Sequence, residues 1–98
     1  MMKEQLFKPS EELTFNTVQL DSKRLSTLLR DTKTMRIKFD LSDVTQCDSA
    51  GLALLIEAKR QCAHFGKSLV IGDIPKAILQ LAEFCGVDAM LRSDSCTA

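Results

Sequence analysis

Three carboxylates, two nucleophile-type side chains and one imidazole fall within a single stretch of the chain. They are Asp40, Asp43 and Asp48, Cys47 and Ser49, and His64. Clustered carboxylates could hold a metal ion or run acid–base chemistry, and a serine or cysteine next to a histidine could act as a nucleophile. The spacing argues against each. Asp40 belongs to the charged face of an alternating segment, Asp43 to a loop, and no histidine joins them. His64 stands fifteen residues after Ser49, about 22 Å along a helix that rises about 1.5 Å per residue. The tetrapeptide at residues 72–75, Gly-Asp-Ile-Pro, has neither of the glycine patterns that cradle phosphates. Nothing in the spacing supports an enzyme, a metal centre or a cofactor site.

A different chemistry is written into Asp48-Ser49-Ala50-Gly51-Leu52. A run of apolar residues opens there with a carboxylate, a hydroxyl and a glycine. Ser49 directly precedes the expected helix, so its hydroxyl is placed to accept a bond from a free N–H of the first turn. Asp48 adds negative charge near the positive end of the helix dipole. Gly51 clears the first turn so that another backbone or a partner surface can approach. The same position tolerates a phosphate on Ser49, with the charge of Asp48 opposing it. Cap, docking tip and modification site all remain open readings of these residues.

The elements that carry this tip follow from periodicity. Residues 1–11 are polar with Pro9 and read as a loose arm. Leu13, Phe15, Val18 and Leu20 predict one or two short strands over residues 12–20, broken near Asn16 and Thr17. Leu25, Leu28 and Leu29 share a helical face, with Asp21 or Ser22 as the cap. Met35, Ile37, Phe39 and Leu41 alternate with Arg36, Lys38 and Asp40, which predicts a strand covered on one side and wet on the other. A helix is expected over residues 50–65, with Leu52, Leu55, Ile56, Cys62 and Ala63 inward and Gly66 as its stop. A strand centred on Leu69, Val70 and Ile71 follows. The next helix starts at Pro75, buries Ile78, Leu81, Ala82 and Cys85, and ends at Gly86. A short turn or helix and a polar tail, residues 92–98, close the chain. Strand and helix alternate, so the fold class is α/β: a small mixed sheet of about four strands with three to four helices packed mainly on one face.

Composition narrows the function. Ninety-eight residues, 45% of them apolar, suit one domain with a core that needs no staples. Thirteen basic and thirteen acidic residues cancel, a poor basis for binding nucleic acid. There is no tryptophan or tyrosine, and the five phenylalanines read as core rather than as a stacking platform. Cys47, Cys62, Cys85 and Cys96 form no C-x-x-C pair, so reduced thiols are expected, with Cys62 and Cys85 as small core residues. The first twelve residues lack the apolar segment of a signal peptide, and the apolar run 50–56 is too short to span a bilayer. A cytoplasmic chain is expected, reaching a membrane only through a partner.

Residues 35–91 resemble a STAS domain, the fold of anti-sigma-factor antagonists and of sulfate-transporter tails. The resemblance rests on the alternating strand ending in Asp-Leu-Ser-Asp-Val, on Asp48-Ser49-Ala50-Gly51-Leu52, and on the segment from Gly66 to Asp88. Ala50 and the Leu-Ala-Leu-Leu that follows Gly51 resemble the branch that serves as the small subunit of Mla-type phospholipid ABC transporters. Before residue 35 the likeness is thin: Leu20 and Asp21 match a family turn that usually carries a glycine absent here. The resemblance implies a non-enzymatic subunit at the inner membrane that binds an ATPase subunit and supports its assembly. Gln46, Cys47, Asp48, Ser49, Ala50, Gly51, Leu52 and Leu54 would form the docking surface. The alternative implied is an anti-sigma-factor antagonist switched by phosphorylation of Ser49. Neither implies a metal, a cofactor, a nucleic acid or a small-molecule substrate.

Overall fold

The computed structural model describes residues 3–92; the polar tail therefore lies, but for residue 92, outside the described residues. Among the described residues five strands and four helices run in the order β1 (Lys3–Phe7), β2 (Glu12–Leu13), α1 (Val18–Arg30), β3 (Thr34–Asp40), β4 (Gln46–Cys47), α2 (Ser49–His64), β5 (Ser68–Gly72), α3 (Lys76–Cys85) and α4 (Asp88–Arg92). The α/β class stands. The sheet differs from the expected single mixed one: β1, β3 and β5 form one three-stranded sheet and β2 with β4 a second, and every pairing is parallel. Each parallel neighbour in the larger sheet is reached through a helical crossover, α1 or α2.

The alternating segment became β3, the centre of the larger sheet. Ile37, Phe39 and Leu41 are fully buried, while Arg36 and Lys38 are exposed. Met35 is only half-buried, because the register with β1 skips it: Lys3 pairs with Thr34 and Glu4 with Arg36. A bulge of this kind turns the flanking side chains by one place, so Thr34 takes a buried position instead. The outer face of the sheet shows Glu4, Leu6, Arg36 and Lys38 to solvent. Its inner face, with Phe7 stacked on Phe39 at 4.8 Å, packs with Leu25, Leu29, Leu55, Ala58, Cys62, Ile78, Ala82 and Leu91 from the helices into one core.

The first third of the chain departs most from expectation. Residues 3–7 are not a loose arm but an edge strand paired with β3, and Asp21 braces the chain just after it. It is fully buried and caps nothing in its own helix. Its carboxylate instead accepts from the N–H and hydroxyl of Ser10 and from Arg24 at 3.0 Å. Arg24 also donates to the Lys8 carbonyl and lies 4.9 Å from the centre of the Phe7 ring. Of residues 12–20, only Glu12 and Leu13 are strand; Val18 and Leu20 belong to α1.

Five expected core positions also move. Cys85 is exposed, Ala63 is exposed, and Phe15, Phe65 and Phe84 are exposed, whereas Cys62, Phe7 and Phe39 are core as read. Lys59 and Lys67 are buried instead. Lys59 donates to the Met90 carbonyl, fastening α4 to α2, and Lys67 donates to the carbonyls of Asp31 and Thr34, closing the C-terminal end of α1. Gly66, at φ +70°, ends α2, and Gly86, at φ +75°, ends α3.

Candidate functional site

The tip of α2 is assembled from three segments that are distant in sequence. The loop after β3 leads into β4, which pairs with β2 through Glu12 with Gln46 and Leu13 with Cys47. This two-residue ladder lays the backbone of Leu13 directly across the first turn of α2. An added Cβ at Gly51 would sit 1.9 Å from the Leu13 carbonyl oxygen. Gly51 is therefore glycine because β2 occupies the space, and the backbone that approaches it is the chain's own rather than a partner's.

Asp48, not Ser49, is the cap of α2. Its Oδ1 accepts from the Gly51 N–H at 3.0 Å and its Oδ2 from the Phe15 N–H at 3.1 Å. One carboxylate thus closes the helix and pins the β2–α1 turn against it. The turn is shaped further by Glu12, whose carboxylate accepts from Thr14 and Asn16. The Phe15 N–H, and then the Gly51 N–H, hold the Asp48 carboxyl below its usual range, so it is an anion at neutral pH. Burial, and then the charge of Asp48, push the Cys47 thiol up to about 11, which keeps it protonated and a poor nucleophile.

Relieved of capping, Ser49 is the first residue of α2, is exposed, and its hydroxyl has no hydrogen-bond partner among the described residues. Gln46 is exposed, and Cys47, Asp48 and Ala50 are half-buried. The remaining expected contact residues are largely covered. Gly51 and Leu52 are buried, and Leu54, read as facing away from the core, is 8% exposed. Leu54 follows the wider apolar stripe of a helix that packs on α1 as well as on the sheet.

What the residue pattern missed lies beside the tip. Phe15, 77% exposed, is held next to Asp48 by the backbone bond just described. Between α1 and α2 runs a groove with Val18, Ala50, Ala53 and Leu54 as its apolar lining and Gln19, Ser22, Lys23 and Glu57 around them. The signal for Phe15 was present in its polar neighbours Thr14, Asn16 and Thr17, which mark a turn rather than a strand. The groove carried no such signal, because it exists only once two helices are side by side.

The other chemistry considered in the sequence is dispersed. Asp40 and Asp43 both lie against Lys8, at 3.7 and 3.2 Å. His64 is at the far end of α2 and contacts the Phe65 ring edge-on. Among the described residues no group of three His, Cys, Asp or Glu side chains is arranged to hold a metal ion, and no helix is long and apolar enough to cross a membrane. The arrangement can present a rigid, small-residue surface with one free hydroxyl to a second macromolecule.

Compared with known protein families, residues 9–92 match the profile described as "Mlab, STAS domain". No curated protein matches the chain.

Proposed function

The chain belongs to the MlaB-like STAS domain family, and from that premise we propose that it is a non-enzymatic subunit of an Mla-type phospholipid ABC transporter. In this reading it sits on the cytoplasmic side of the inner membrane, held there by the transporter's ATPase subunit. It docks through the tip of α2 and the groove beside it, and by docking it keeps the ATPase assembled and active. The observation that carries the reading is the exposed Ser49, unbonded within the described chain, on a helix end that Asp48 and Gly51 hold fixed against β2. Next to it, Val18, Ala50, Ala53 and Leu54 offer apolar lining, and Phe15 offers an exposed ring. A polar point beside an apolar groove on a rigid element suits protein docking, where a few well-placed side chains carry most of the energy.

Co-purification with the ATPase subunit, and ATPase turnover with and without this chain, test the proposal. The expected result is a stable complex and a lower turnover when the chain is removed. Ser49→Asp should weaken the complex more than Ser49→Ala, because it places a charge in a surface that must be desolvated. No complex, with turnover unchanged, ends the proposal.

One observation favours a second reading, an anti-sigma-factor antagonist. The same free hydroxyl at the first position of α2 is accessible to a kinase, and a phosphate there would meet the positive end of the helix. Incubation with a partner kinase and ATP, followed by intact mass, tests it: a phosphate on Ser49 supports the switch, and a phosphate absent from Ser49 or found elsewhere counts against it.

A further inference from the structure

At the opposite end of the α1–α2 pair, some 22 Å from Ser49 by helical rise, the structure forms a second hollow. It has a volume of about 390 Å³ and is lined by Ser26, Leu29 and Arg30 of α1, by Arg60, Gln61 and His64 of α2, and by Phe65. An adjoining hollow of about 390 Å³ shares Leu29, Arg30 and Phe65 and adds Thr32, Met35 and Lys67. Among the described residues no carboxylate lines either one. In a chain with as many acids as bases, Arg30, Arg60, His64 and Lys67 are gathered around two adjoining hollows, with no acidic side chain among the described residues of their walls.

These side chains are not needed to close the helix ends. The last carbonyls of α2 already accept from the backbone N–H groups of Phe65, Gly66 and Lys67, and that of Leu28 in α1 accepts from Asp31. The buried Lys67 covers the Asp31 and Thr34 carbonyls. Arg30 has no ion pair or hydrogen bond among the described residues, and His64 has only its ring contact with Phe65. Arg60 uses its Nε and Nη2 on Glu57, which leaves Nη1 unengaged. Two guanidinium groups, an imidazole and the Ser26 hydroxyl therefore converge with donors to spare, and Leu29, Met35 and the half-open ring of Phe65 supply an apolar floor beside them.

We propose that this cleft binds a phosphomonoester anion, with Arg30 and Arg60 on the phosphate and Phe65 against the carbon skeleton that bears it. The guanidinium of Arg30 can offer the planar, two-point geometry that phosphate oxygens accept, and Arg60, held in place by Glu57, adds its Nη1. The site is independent of the docking tip, so a ligand held here could be bound while the tip is occupied.

The test is a titration of the ¹⁵N-labelled full chain with inorganic phosphate, followed by amide shifts, and flotation with phosphatidylcholine vesicles with and without phosphatidic acid. Saturable shifts confined to Ser26, Arg30, Gln61, His64 and Phe65 are expected, with affinity falling about tenfold or more in Arg30→Gln and in Arg60→Gln. Both arginines are exposed, and an unchanged melting temperature confirms that the variants are folded. If vesicles containing phosphatidic acid also retain the wild type but not Arg30→Gln, the phosphate belongs to a lipid headgroup; if no vesicle does, it belongs to a soluble phosphomonoester. Shifts spread over the basic residues at large, or unaltered by both substitutions, overturn the proposal. So does vesicle retention without the localised shifts.

Discussion

Replacing Gly51 with alanine sets two effects of opposite sign against each other. Alanine is favoured over glycine inside a helix by about 1 kcal/mol, and Gly51 is not one of the positive-φ glycines, so the backbone raises no objection. Space does. The new methyl carbon would lie 1.9 Å from the Leu13 carbonyl oxygen, against the roughly 3.3 Å at which a carbon rests beside such an oxygen. The obstacle is backbone, so no side-chain rotation relieves it, and β2 must retreat. Leu13 is itself fully buried, pairs with Cys47, and accepts from the Asp48 N–H through the same oxygen. Overpacking of this kind costs about 1–3 kcal/mol and a lost hydrogen bond about 1 more. Setting the helix gain against these leaves a net loss of about 2 kcal/mol. For a domain of this size the melting temperature should fall by roughly 10 °C, followed by far-ultraviolet circular dichroism. Docking at the tip should weaken as well, since Ser49 moves with the turn. A Gly51→Ala protein as stable as the wild type would refute the claim that β2 dictates the glycine.

Three further outcomes are expected. Asp48 has its folded-state pKa lowered by the Phe15 and Gly51 N–H groups, so the stability it contributes is present above its unfolded pKa of about 3.9 and is lost as pH falls through the lower folded value. Asp48→Ala should accordingly melt below the wild type at neutral pH, with the two proteins converging under about pH 4; a gap that persists in acid contradicts this. Asp21→Ala removes the acceptor for Ser10 and Arg24 and should cost about 2–3 kcal/mol, with faster amide exchange across residues 3–10 as β1 loosens. Of the three cysteines among the described residues, iodoacetamide at neutral pH should label the exposed Cys85 first, Cys47 far more slowly because its thiol is half-buried and titrates at about 11, and Cys62 only after unfolding. Peptide mapping reads the order, and equal rates at Cys47 and Cys85 would count against the burial of the tip's thiol.

How much of this was legible depended on the range over which each signal acts. The strand around Ile37 and Phe39 and the stops at Gly66 and Gly86 were readable because period-two alternation and left-handed glycines are local properties of the backbone. The segment at residues 3–7 was not, since it carries little apolar signal of its own and its place is set by a ladder with β3, which is distant in sequence. Asp48 and Ser49 could each have capped α2 by type. The choice went to Asp48 because its second oxygen also finds the Phe15 N–H, a partner thirty-three residues back.

By itself the sequence determined the α/β alternation, the polar opening of α2 with its small residues, and membership of a family, all of which are written in neighbouring residues. Only the tertiary structure decided that Gly51 answers to Leu13, that Leu54 is mostly covered at the base of a groove, and that the Ser49 hydroxyl has no partner among the described residues. Those are statements about which atoms share a volume, and a one-dimensional pattern does not record distance between segments until packing brings them together.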